Sequence, residues 1–136
     1  MRSLIFFQAD HDLTHEFKTV FNASLFDIDL TATWSHTSGR VFTKQENINI
    51  NNDFTIVYKK GTRNKERLQP VHHLDLSAVK TYKIKKIRLE TGISIYNVYN
   101  KKNISHKKYN PFNNKQIVSD VIMLGFTPTF FIQLSI

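Results

Sequence analysis

Along residues 25–33 apolar and polar side chains alternate, with Phe26, Ile28, Leu30 and Ala32 on one parity and Asp27, Asp29 and Thr31 on the other. A period of two fits an extended strand with one face buried and one face wet. The same period returns after Pro128, where Phe130, Ile132, Leu134 and Ile136 share a face. Both stretches therefore commit the chain to a sheet that is apolar on one side.

Other segments carry a different period. Asp10 suits a helix N-cap, and Leu13, Phe17, Val20 and Phe21 follow the i, i+4, i+7, i+8 spacing of an amphipathic helix over about residues 11–23. Near the other end, Asn113 to Gln116 has the shape of a capping box. Ile117, Val118, Val121, Ile122 and Leu124 follow it, with Gly125 placed to end a second helix. Short strands are expected at 3–8, 40–43, 48–50 and 54–59. A longer one at 80–89 has a phase slip at Lys86 that reads as a bulge. Residues 93–99 and 104–109 read as a hairpin around a four-residue loop at 100–103. The expected fold is α+β in a single domain, residues 1–136. Its opening is βαβ and its ending is βαβ-like (hairpin, helix, strand), a ferredoxin-like split order with two helices and a β-rich insertion.

The chain has no cysteine, which removes disulfides, thiol nucleophiles and cysteine-ligated metals. Leu4 to Phe7 is too short an apolar run for a signal peptide, and no run approaches the roughly 18 residues of a helical membrane span. On that criterion the expected setting is intracellular and without a membrane, in the cytoplasm or within a virion or nucleoprotein particle. The abundance of Lys, Asn, Ile and Phe fits an AT-rich genome.

Charge is distributed unevenly. Residues 1–56 carry four basic and seven acidic side chains, whereas residues 57–136 carry 15 basic and four acidic ones. Lys59, Lys60, Arg63, Lys65 and Arg67 crowd one loop, and Lys83, Lys85 and Lys86 follow on a strand. Lys101, Lys102, Lys107 and Lys108 surround the expected hairpin tip, with Tyr99 and Tyr109 among them. Cations at phosphate spacing with interleaved flat rings are what a single-stranded polyanion requires. Five Arg against 14 Lys favours neutralisation of phosphates over bidentate reading of bases. The expectation is a basic, non-enzymatic binding or assembly module. Its partners are DNA or RNA, or the protein subunits of a nucleoprotein or virion particle, in which it packs as a small structural subunit.

Two alternatives compete with that reading. His72 and His73, with His106 as a third imidazole, are the residues a histidine-dependent nuclease or phosphoesterase would use. A small inhibitor of a host enzyme is the other, supported by the acidic pair Asp27 and Asp29. His11 and His15 are four apart, but on the expected helix they face away from its apolar stripe, so no metal site is assigned. No glycine-rich phosphate loop or other cofactor signature is present, and no cofactor is expected.

Overall fold

The computed structural model describes residues 7–50, 56–110 and 117–135, and every regular element among them is a β-strand. The α+β expectation is therefore corrected to a sheet-dominated fold. The chain divides into two compact units.

One unit comprises residues 16–36, 71–103 and 124–136. It is built on a five-stranded sheet of β1 (Glu16–Leu25), β2 (Ile28–Thr37), β7 (Val71–Ile84), β8 (Ile87–Tyr96) and β11 (Thr127–Ser135), hydrogen-bonded in that order. Phe26 and Asp27 both have positive φ, so β1 and β2 join through a two-residue turn of the mirror-image kind that matches strand twist. Lys85 and Lys86 turn β7 into β8, with Ile84 opposite Ile87. The Thr81 N–H donates to the Asp27 carbonyl, while His72 lies beside His36. β2 and β7 therefore run in opposite directions. β11 pairs antiparallel with β8 from Thr127–Tyr96 to Ser135–Arg88.

The helix expected over 11–23 is mostly β1. Phe17 and Phe21 are four apart, a spacing that satisfies a helical face and a strand face equally well. The neighbours decide between them: Thr19 and Val20 are β-branched, and Phe17 and Phe21 are aromatic, which favours a pleated surface. The phase slip at Lys86 is a hairpin turn and not a bulge, so the single expected strand at 80–89 is the end of one strand and the start of the next.

The second unit comprises residues 1–15, 37–70 and 104–123. It holds three antiparallel pairs: β3 (Val41–Phe42) with β6 (Glu66–Arg67), β4 (Gln45–Ile50) with β5 (Ile56–Lys60), and β9 (Ile104–Asn110) with β10 (Ile117–Ile122). The three short strands expected mid-chain are β3, β4 and β5. The second expected helix is β10 over its described part, where Ile117, Val118, Val121 and Ile122 supply four β-branched side chains in six residues. Its capping box at 113–116 lies outside the described residues, as does most of the strand expected at 3–8. The hairpin expected around 100–103 does not form, because β9 pairs with β10 while β8 pairs with β7 and β11. Val41 and Leu68 are the buried apolar side chains among the described residues. Gly39 packs so closely on the Leu68 carbonyl that a Cβ there would stand 1.8 Å from its oxygen.

Candidate functional site

Alternation along the five paired strands sorts the sheet into two faces of opposite chemistry. One face carries Phe17, Phe21 and Leu25 from β1, Leu30 and Trp34 from β2, and Leu76, Tyr82 and Ile84 from β7. Ile87 and Ile93 of β8 and Phe130, Ile132 and Leu134 of β11 complete it. All of these are exposed: Phe130 is 83 % accessible, Ile132 70 % and Phe21 67 %. Exposed apolar residues scattered singly need no explanation, but a contiguous face of them does. A shallow groove of about 430 Å³ crosses the face where Ala32 and Ala78 lie between Phe21, Leu30, Leu76 and Ile93.

The other face is hydroxyl-rich and makes polar contacts across strands. Ser24 donates to Asp29 at 2.6 Å and Thr31 to Asn22 at 2.9 Å, while Ser94 and Thr129 share a hydrogen bond of 2.6 Å. His73 Nε2 meets Asp75 at 3.3 Å and its ring lies 4.8 Å from that of Tyr96. Val20, Val79 and Phe131 are apolar exceptions; the Phe131 ring covers Gly92 on the neighbouring strand, where a Cβ would come within 2.3 Å of it. That is the aromatic cover a glycine in a strand receives when it has no side chain to pack.

Rings mark the end of the apolar face remote from the two tight turns. Phe17, Trp34, His36, His72 and Tyr99 form a ladder with successive centroids 5.7, 6.0, 6.3 and 5.9 Å apart. Beside it the loop 97–103 is tied down by three asparagines spaced three apart. Asn97 is fully buried; its amide donates to the carbonyls of Lys101 and Leu124, its Oδ1 accepts the Lys101 N–H, and its own N–H donates to Asp75. Asn100 accepts the Phe126 N–H, and Asn103 both accepts from and donates to the backbone of His72. Asn97 and Asn100 have positive φ, a region that asparagine enters at little cost. Sequence reasoning missed this knot, although the N-x-x-N-x-x-N spacing at 97–103 was its signal.

The residues expected to bind a polyanion divide between the two units. Lys83, Lys85, Lys86, Tyr99, Lys101 and Lys102 belong to the five-stranded unit, and Lys59, Lys60, Arg63, Lys65, Arg67, Lys107, Lys108 and Tyr109 to the other. Three of the latter cations are engaged within their own unit. Arg67 reaches the Gly39 carbonyl at 2.7 Å, Asp12 at 2.7 Å and Thr14 at 2.8 Å, fastening residues 12–14 to β6. Arg63 pairs with Asp10 and lies over the Phe7 ring, and Lys107 pairs with Asp120. Hydrogen bonds from Asn64 and then the Arg63 charge hold the Asp10 carboxyl below its ordinary range, and Arg67 does the same for Asp12. Of the three histidines, His72 and His73 are neighbours on β7 and so point to opposite faces, while His106 is on β9 in the other unit. His11 and His15 lie on no helix.

No family model, no curated protein and no solved structure matches this chain. Among the described residues no helix is long and apolar enough to cross a membrane.

Proposed function

We propose that this chain is a non-catalytic assembly module whose five-stranded sheet forms part of the wall of a β-barrel in a lipid bilayer. The observation that carries the reading is the exposed, contiguous apolar face backed by a hydroxyl-rich one. Lipid would cover the first and water the second, the arrangement of a membrane strand wall.

Three further features fit. On β7 the apolar parity runs from Leu74 to Ile84, with Lys80 as its charged member. At about 3.3 Å per residue and a tilt of about 40° that row spans roughly 25 Å, the height of a barrel's apolar band. Rings bracket the band, with Phe17 and Trp34 toward one end and Phe26 and Tyr82 toward the other. Finally, two-residue turns close the strands at one end, while residues 38–70 and 97–126 connect them at the other. Such inequality of connections is characteristic of barrels that cross from one side. A criterion based on apolar run length does not register strands of this kind, because every second residue is polar. Closing the wall requires further strands on the outer edges of β1 and β11, which have no partner among the described residues.

The absence of cysteine makes the test direct, since any introduced thiol is unique. Single cysteines at Thr129, Phe130, Ile132 and Gln133, labelled with an environment-sensitive dye, should report an apolar surrounding at 130 and 132 and water at 129 and 133, in vesicles only. If 130 and 132 are equally shielded in plain buffer and the protein sediments as a dimer, the apolar faces cover each other and the bilayer reading fails.

A further inference from the structure

The Phe26–Asp27 turn packs against β7, where the Thr81 N–H donates to the Asp27 carbonyl at 3.3 Å, and the β7–β8 turn at Lys85 and Lys86 extends beyond it. Each holds one residue that such a turn does not want. Mirror-image two-residue turns favour Asn and Gly because a positive φ costs those residues least. Here one tip places Phe26 at a φ of 49°, and the other places Lys85 at 56°. A bulky side chain in that region is an outlier, and such outliers persist where something beyond local folding uses them. Phe26 is 84 % exposed, so it contributes almost no burial within the chain. Lys83 and Arg88 line a shallow pocket with it, Lys85 and Lys86 form the neighbouring tip, and Ile84 and Ile87 lie just inside that tip.

The nearby acids neutralise this cluster only partly. Glu90 takes Arg88 in an ion pair, and Asp29 accepts the Ser24 hydroxyl. Asp27 is the remaining acidic group here, and it lines one shallow pocket with Lys83 and Arg88. Lys80, deeper on the apolar face, extends its ammonium over the Tyr82 ring at 5.2 Å, toward the same end, as a long cationic chain does when it reaches for a polar boundary.

We propose that these tips are an anchor for anionic phospholipid headgroups, with the Phe26 ring lodged at the boundary of the acyl chains and Lys85 and Lys86 set against lipid phosphates. The proposal rests on the bilayer reading and adds the lipid class and the end of the sheet that recognises it. Charge complementarity and the order of side chains support it: the apolar face, with Tyr82 near its end, closes at Ile84 and Ile87, and the ammonium groups of Lys85 and Lys86 follow directly, as charge follows hydrocarbon on leaving a bilayer.

The chain's single tryptophan, Trp34, gives a reporter remote from the tips. The full chain is titrated with vesicles of phosphatidylcholine alone and with vesicles containing phosphatidylglycerol. A blue shift of Trp34 emission is expected with both, and tighter binding to the anionic vesicles that weakens as salt is added. K85S and K86S should each lower anionic-vesicle affinity roughly five-fold, leaving the neutral vesicles unaffected. F26N should weaken binding to both vesicle types while raising the melting temperature, a combination that a purely structural role for Phe26 does not produce. Equal affinity for the two vesicle types, with Trp34 still shifted, overturns the headgroup anchor and leaves the bilayer reading standing. No shift with either type removes the bilayer reading and this proposal with it. Retention on duplex DNA without vesicles, abolished in K85S/K86S, would assign the lysines to nucleic acid instead and overturn the anchor.

Discussion

At the scale of single residues, the buried asparagines Asn97 and Asn103 bond backbone groups on both sides of the loop. Asn97 satisfies two carbonyls and one N–H from a single amide. Asn97→Ala leaves those groups without partners in a buried site, and we expect a loss of about 2–4 kcal/mol, read by denaturant or thermal unfolding followed by circular dichroism. Gly92→Val should destabilise as well, because its side chain enters the space of the Phe131 ring. Gly92→Val combined with Phe131→Ala should recover part of the loss, and a double-mutant cycle measures that coupling. Asp10 and Asp12 both titrate below the ordinary carboxylate range in the folded chain. A depressed folded value means that the unfolded chain takes up protons first. Their contribution is therefore complete above the unfolded carboxylate range, near pH 4 and higher, and is lost as the pH falls through their folded values. The protection of the Asn64 and Thr14 amides, taken relative to their intrinsic exchange rates, should fall in that acid window and stay flat between pH 5 and 8. Asp10→Asn and Asp12→Asn should remove the acid dependence.

At the scale of elements, what was legible depended on whether a pattern fitted one period or two. The alternation at 28–33 and 128–134 admits a single reading, and β2 and β11 lie there. Phe17 and Phe21 fit two, and the helical choice failed because side-chain shape, not spacing, discriminates between them. Pairing partners were less accessible still. β8 and β9 are sequence neighbours, yet each pairs elsewhere: β8 with β7 and the distant β11, and β9 with β10, while Asn97, Asn100 and Asn103 fasten the loop that follows β8. For the candidate site, the alternating stretches of β2 and β11 were visible in sequence, but its continuity across five strands required the register of each pair. Within β9 and β10, Lys107 stands directly opposite Asp120, with 2.7 Å between charged atoms. Lys107→Glu should weaken this pair by about 0.5–1 kcal/mol, since like charges then face each other, and Lys107→Glu with Asp120→Lys should restore it. Thermal unfolding of the three variants checks both signs.

At the scale of the whole molecule, the sheet has strands that complete no layer by themselves. A soluble sheet of this kind would place a second layer on its apolar side; here that side is open from β1 to β11 among the described residues. If lipid covers it, detergent or vesicles should protect the backbone amides of β2, β7 and β8 from exchange by at least ten-fold relative to buffer. The amides of the 38–70 connection should be insensitive to the same addition, so exchange mapped along the chain distinguishes a bilayer-covered sheet from general compaction.

The asparagine knot also answers a difficulty inherent in any strand patterned with a period of two. Sliding β11 along β8 by two positions would return every apolar side chain to the same face, so alternation alone is blind to that error. The carbonyl of Leu124 and the N–H of Phe126, which lead into β11, are gripped by Asn97 and Asn100. A slipped strand would have to release both. The loop thus acts as a latch on strand alignment, admitting one setting among several that hydrophobicity would accept equally.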